Sequence, residues 1–235
     1  MTIAWFCFFD APSDSARLSS GDRDGLLALL GSCEGIRRGY LYSPAHAFDP
    51  YSDDGHGPAL ALELHFDDVR SCELVLRQDG PLAALANGTV IPSLGAAAAG
   101  SQQGTLARHY PVPTPLSAMA SQPFCTFLVD YPGPASDERV WQQHYAAYHP
   151  PIMSTFPDIR AVAIYTPAVL ISGLPFAPAP AMQRNKVVFD SRAALDAALS
   201  SPVRETMRRD FEKFPPFDGG NQHFAMHTWA FGAPL

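Results

Sequence analysis

Basic residues are scarce in this chain: 16 Lys and Arg stand against 23 Asp and Glu in 235 residues, a formal net charge of −7. Phosphate-backbone binding needs clustered cations, so nucleic acid is not an expected partner. Long apolar runs are missing as well. No stretch approaches the ~20 residues that span a bilayer. The apolar run from Ile3 to Phe9 lacks a basic flank and ends at Asp10, so no membrane association and no signal peptide is read from it. The four cysteines (Cys7, Cys33, Cys72, Cys125) form no CxxC pair, and the expectation is buried free thiols in a reducing cytoplasm. There is no HExxH, and Gly219-Gly220 and Gly55-x-Gly57 lack the strand–turn–helix setting of a nucleotide loop. No metal site is expected.

What is present is a duplication. Ile36-Arg37-Arg38-Gly39-Tyr40-Leu41-Tyr42-Ser43-Pro44-Ala45 recurs 123 residues on as Ile159-Arg160-Ala161-Val162-Ala163-Ile164-Tyr165-Thr166-Pro167-Ala168. The same offset carries Phe66-Asp67-Asp68 onto Phe189-Asp190-Ser191. A slightly shorter one carries Phe8-Phe9-Asp10-Ala11-Pro12 onto Leu128-Val129-Asp130-Tyr131-Pro132. Three matches in one order point to a repeated unit, and two copies are too few for a solenoid.

Each half reads strand, helix, strand, strand, helix, strand. In the first half the strands fall at 3–10, 36–42, 59–66 and 105–112, with helices over 24–33 and 69–77. Loops rich in Asp, Gly and Pro cover 48–58, and a low-complexity stretch covers 92–104. Pro111 to Pro123 holds four prolines, PVPTPLSAMASQP, and reads as a linker. The second half places strands at 124–131, 159–165, 185–189 and 223–231, with helices over 137–148, 193–199 and 202–213. The expected organisation is therefore an N-terminal repeat over 1–112, a linker over 113–123 and a C-terminal repeat over 124–235. The β-α-β-β-α-β order is that of the ferredoxin-like unit, whose bare sheet face needs a cover. Two such units face to face would form an α+β pseudo-dimeric barrel with a pocket inside.

Chemistry concentrates in Val140-Trp141-Gln142-Gln143-His144-Tyr145-Ala146-Ala147-Tyr148-His149-Pro150-Pro151-Ile152. Trp141, Tyr145, Tyr148 and Ile152 fit one helical stripe. His149 precedes Pro150, which places it at the helix end. Together with Phe156-Pro157-Asp158-Ile159-Arg160, the residues Trp141, His144-Tyr145 and His149-Pro150 resemble the EthD branch of the dimeric α+β barrel superfamily. The resemblance covers 124–231 well and 1–112 weakly. The first half has no histidine in its short helix, so no second site is expected there. The resemblance implies the barrel fold and a ligand pocket, in a superfamily holding cofactor-free cyclases, isomerases and monooxygenases beside haem-dependent members. It also makes His149 the motif histidine.

His149 and His144 are candidate acid–base groups, since imidazole titrates near neutrality. Tyr148 and His227 are candidates to polarise a substrate oxygen. Tyr145, His223, Trp229, Asp130 and His109 are candidates to bind substrate. His223, His227 and Trp229 share a strand face by the period of two, and His109 would be the rough counterpart of His227 across the barrel. His144 and His149 are five apart and point to different helix faces, while His223 and His227 lie ~13 Å apart along a strand. Neither pair suits a metal. The expected function is an enzyme without cofactor, of lyase, cyclase or isomerase type, acting on a small apolar, aromatic or polyketide-like molecule. One alternative is a haem-binding or oxygen-using oxidoreductase. The others are a non-catalytic ligand-binding or stress protein and a purely structural duplication with a filled barrel. Lys186 and Val188 share a face, and an inward Lys186 would argue for a wet lumen. A homodimer through sheet edges is a further expectation.

Overall fold

The computed structural model describes residues 2–10, 16–47, 49, 57–95, 99–116 and 123–233. Much of the loop over 48–58 and of the linker over 113–123 therefore lies outside the described residues. The chain runs β1 (Thr2–Asp10), α1 (Ser20–Ser32), β2 (Arg38–Pro44), β3 (Leu60–Phe66), α2 (Val69–Val75), α3 (Ala83–Ala86), a 3-10 turn over Pro92–Leu94, and β4 (Ala99–Tyr110). It continues as β5 (Phe124–Tyr131), α4 (Glu138–Met153), β6 (Ala161–Pro167), β7 (Ala177–Pro178), β8 (Gln183–Phe189), α5 (Arg192–Leu199), α6 (Pro202–Phe211) and β9 (Gln222–Gly232).

The 123-residue offset reaches the element boundaries: it carries both ends of β2 onto β6 and both ends of β3 onto β8. The caps follow it. Asp68 accepts the Ser71 N–H at 2.8 Å to start α2, and its counterpart Ser191 accepts the Ala194 N–H at 3.2 Å to start α5. Short polar side chains serve here because the first N–H groups of a helix have no partner within it. β4 starts earlier than the sequence suggests. Ala99 to Gln103 has weak strand propensity, yet it pairs with Phe6–Asp10 of β1, which otherwise would leave that edge unbonded.

Eight strands close into one antiparallel barrel in the order β1-β3-β2-β9-β5-β8-β6-β4, with β4 returning to β1. The first half contributes β4-β1-β3-β2 and the second β9-β5-β8-β6, the same order by position. The seams between halves are the β2–β9 and β4–β6 pairings. Each of these strands has two neighbours. A dimer through free sheet edges has none of the eight to use, because closure has spent them. No helix among the described residues is long and apolar enough to cross a membrane.

Alternation along each strand sorts side chains into lumen and outer face. The outer faces carry two separate cores. One is around Trp5, Leu26, Leu62 and Phe66 under the first-half helices, and the other is around Phe127, Trp141, Val187 and Phe189 under the second-half helices. The lumen is packed with Phe6, Tyr40, Tyr42 and Tyr165 around a charged centre. Lys186 Nζ lies 2.8 and 2.9 Å from the Glu63 carboxylate, and Tyr42, Tyr165 and His65 also bond to that carboxylate. Lys186 does point inward, as the wet-lumen expectation required, but it is only 1% exposed and sits 3.6 Å from the centre of the Tyr40 ring. The lysine is matched by a carboxylate and covered by aromatic rings, so this ion pair is shut off from solvent. The expected pocket inside the barrel is not where the cavity lies.

Candidate active site

The site is built on α4, which does not stop at His149. It continues through Pro150 and Pro151 to Met153. A proline inside a helix removes one backbone donor and leaves the carbonyl four residues back without its bond. Here that carbonyl belongs to Ala146, and the Tyr110 hydroxyl donates to it at 3.0 Å. A side chain from the end of β4 thus replaces the missing N–H. With the helix intact past the prolines, the inward row is Trp141, Tyr145, His149 and Met153, all buried. Tyr148 falls on the other face and is 57% exposed.

Between that row and the outer face of β5, β8 and β9 lies a cavity that is partly open to solvent. Its walls are mainly apolar: Phe127, Val129, Met153, Phe156, Val187, Phe189, Leu199 and Met207. A few polar groups converge on it, the usual make-up of a small-molecule site. His149 is 4% exposed, and its Nδ1 lies 2.7 Å from Asp210 on α6, itself 7% exposed. A carboxylate accepts only, so the proton sits on Nδ1 and Nε2 carries the lone pair. Among the described residues Nε2 takes no hydrogen bond. Burial lowers the His149 pKa, and the Asp210 bond and charge oppose that drop. The ring is therefore neutral near pH 7, in the state of a proton acceptor.

Asn185, on β8, is 2% exposed and lines the same cavity. Its Nδ2 donates to the Tyr145 hydroxyl at 2.6 Å, while its Oδ1 has no partner among the described residues. Tyr145 in turn bonds to Tyr131, and burial raises the pKa of both phenols. Farther out, Arg204 of α6 donates to Asp49 through Nε at 3.2 Å and Nη2 at 2.7 Å. Asp49 belongs to the first half, so that half reaches the rim of a cavity in the second. His223 stacks on Phe127 with ring centres 5.4 Å apart and bonds to Asn221 at 3.3 Å.

Of the residues singled out in the sequence, His149 and His223 line the cavity, and Tyr145 supports its floor through Asn185. His144 stands behind His149, with Nε2 3.8 Å from the other Asp210 oxygen. The remaining candidates lie elsewhere. His227 and Trp229 do share the outer face with His223, but Trp229 packs onto the first-half core, with Arg23 5.0 Å above its ring. His109 turns into the lumen beside His65, ring centres 6.0 Å apart, and does not meet His227. By the repeat offset the counterpart of His227 is Gly104. Asp130 pairs with Arg184 on the lumen side rather than orienting a histidine, and burial raises its carboxyl against the pull of that arginine.

Sequence reasoning passed over Asp210, Asn185 and Arg204. Two of them had a signal. Asp210 interrupts the apolar row Val203, Met207, Phe211 and Phe214 near the end of an amphipathic helix. Asn185 shares its strand face with Val187 and Phe189. A lone polar residue on an otherwise apolar face is the mark of a buried site. Arg204 had none, since its partner is 155 positions away. Among the described residues no group of three or more His, Cys, Asp or Glu could hold a metal ion.

No protein-family model and no curated protein matches the chain. Solved structures do. An anthrone oxidase-like protein aligns at TM-score 0.63 and 13% identity, over 100% of this chain and 95% of its own. A monooxygenase-like protein from Fusobacterium nucleatum subsp. nucleatum aligns at 0.56 and 6% identity, covering 98% of this chain and 94% of its own. Another, from Lactobacillus acidophilus NCFM, aligns at 0.54 and 10% identity, over 99% and 97%. At such identities the likeness is one of fold, and it extends over the whole chain. The chain has the fold of the dimeric α+β barrel superfamily.

Proposed function

We propose that the chain is an oxygen-using oxidoreductase acting on a small apolar ring molecule, with His149 as proton acceptor and Asp210 as the residue that orients it. The observation that carries this is the buried His149–Asp210 pair, bonded through Nδ1 and lining an apolar cavity. A neutral imidazole there can take a proton from a phenol or enol. The electron-rich anion that results is the form that reacts with molecular oxygen. The same acid–base pair would serve a cyclase or isomerase, but the names of the structurally similar proteins, anthrone oxidase-like and monooxygenase-like, favour oxidation. The chain is further read as two tandem ferredoxin-like units, 1–112 and 124–235, joined by 113–123. The common strand order and the 123-residue offset shared by β2 with β6 and β3 with β8 support that reading, and the second unit is the EthD-like one.

The test is oxygen uptake with anthrone and 1-naphthol, followed on an oxygen electrode. Uptake that is abolished by His149→Ala supports the proposal. Turnover that proceeds unchanged under argon assigns the pair to a lyase or isomerase instead. Binding without turnover, retained in His149→Ala, reduces the protein to a ligand carrier. A haem reading has one observation in its favour: a carboxylate on Nδ1 leaves Nε2 as the ligating atom, as in many histidine metal ligands. Haem held by His149 would supply one-electron and oxygen chemistry. A Soret band in protein purified from its own host, lost in His149→Ala, would establish it.

A further inference from the structure

The polar groups at the floor of the cavity have a common sign. The Asn185 amide is placed with its Nδ2 donating to the Tyr145 hydroxyl at 2.6 Å. That leaves Oδ1 as the atom without a partner among the described residues. His149 donates from Nδ1 to Asp210 and keeps a lone pair on Nε2. Both are acceptors. Arg204 and Arg208 also line the cavity, but each is engaged by a carboxylate: Arg204 by Asp49 at 2.7 Å and Arg208 by Glu212 at 3.3 Å. A buried acceptor left without a donor is costly, so the cavity floor discriminates by hydrogen-bond polarity.

We infer that this cavity, on the oxidoreductase reading above, selects the hydroxylated, reduced form of its ring ligand. Asn185 and His149 each accept a hydrogen bond, and a diol brings two O–H donors to meet them. The corresponding quinone brings only acceptors, and a methyl ether brings none of the donors. Asn185 is the residue that sets this preference without handling the proton, and His149 accepts the bond that the reaction later breaks. The product of oxidation is therefore the form the site holds less well. The first-half position equivalent to Asn185 is Leu62, which packs in a dry apolar core, so a leucine at this place in the sheet is compatible with the fold.

The experiment is calorimetric titration under argon of wild type, Asn185→Leu and Asn185→Asp. The probes are 1,3-, 1,4- and 1,8-dihydroxynaphthalene, their dimethyl ethers and 1,4-naphthoquinone. At least one diol should bind about tenfold or more tightly than its own ether and than the quinone, the penalty for unpaired buried acceptors. Asn185→Leu should shrink that ratio, and Asn185→Asp, which retains the acceptor, should keep it. Equal or tighter binding of the ethers or the quinone overturns the inference while leaving an apolar ring pocket intact. A ratio unchanged in Asn185→Leu removes Asn185 from the assignment. If no ring compound binds at all, the inference and the proposed function fall together. Should Asn185→Leu fail to fold, the wild-type series decides.

Discussion

The two halves differ most where their sheets meet their helices. The outer face of β3 carries Leu60, Leu62, Leu64 and Phe66, while the same positions of β8 carry Gln183, Asn185, Val187 and Phe189. Over the first set, Leu26, Leu30, Leu82, Leu85, Ile91 and Leu94 close a continuous apolar core, with Leu85 from α3, Leu94 from the 3-10 turn, and Leu82 and Ile91 just ahead of them. Over the second set stands a longer α4 that brings His149, with α6 bringing Arg204 and Asp210 to the same space. Leucine against leucine packs to the density of a crystal and leaves no room. An amide and an imidazole, each with an atom to satisfy, keep a space open for something that can satisfy it. On the proposed function, the first half is the scaffold and the second holds the chemistry.

The sharpest way to break that contrast is to remove the imidazole. His149→Ala should lower turnover by about 10²–10⁴-fold, as expected for a lost general base, and should cost about 1–3 kcal/mol on unfolding because it leaves the buried Asp210 carboxylate without its donor. Steady-state rates beside urea melts check both parts. Next in size is the bond across the halves. Glu63→Leu strands Lys186 in the lumen and should cost about 3–5 kcal/mol by urea unfolding, and Glu63→Leu with Lys186→Met should recover most of it. Full recovery would show that the pair contributes specificity rather than net stability.

Exchanging the two floors gives a smaller and unequal effect. Leu62→Asn puts an unpaired amide into a dry core and should cost about 2–4 kcal/mol. Asn185→Leu takes one donor from Tyr145 and should cost about 1 kcal/mol. Equal losses would mean that the two spaces are alike after all.

Acidity tests the buried histidines of both regions. Burial lowers the pKa of His149 under the helices and of His65 in the lumen, so the folded state holds each neutral. The unfolded chain takes up these protons near pH 6.5. Stability is therefore complete above that pH and falls as the pH drops below it, since the unfolded state then binds more protons. Urea midpoints at pH 7.5 and 5 measure the loss, and His149→Gln should reduce it. Least of all should matter the matched surface pairs Arg37–Asp67 and Arg160–Asp190, each worth under about 1 kcal/mol.

The architecture was largely legible because duplication writes it twice. Ile36–Tyr42 and Ile159–Tyr165 identify each other as strands, and the offset fixes β3 against β8. The helical site was half legible. His149 and His144 stand out by residue type, but the end of their helix does not, because the group that rescues Pro150 is Tyr110 from another strand. Asp210 and Asn185 gave only the weak sign of a polar residue in an apolar row. Which of the two barrel surfaces holds the cavity depends on the volume of side chains meeting from distant segments. Periodicity reports a face and cannot say whether that face is full.

Glu63 and Lys186 occupy the same position in the two copies, and so do Tyr42 and Tyr165, which bond to the same carboxylate. A symmetric pair of identical subunits would set like against like on that axis, two carboxylates or two ammonium groups facing each other in a dry core. Two halves of different sequence can carry opposite signs there. The same contact works against strangers: the first half of one molecule meeting the first half of another would bring Glu63 to Glu63. In this chain the two halves meet there through a matched ion pair, where identical halves would present like charges.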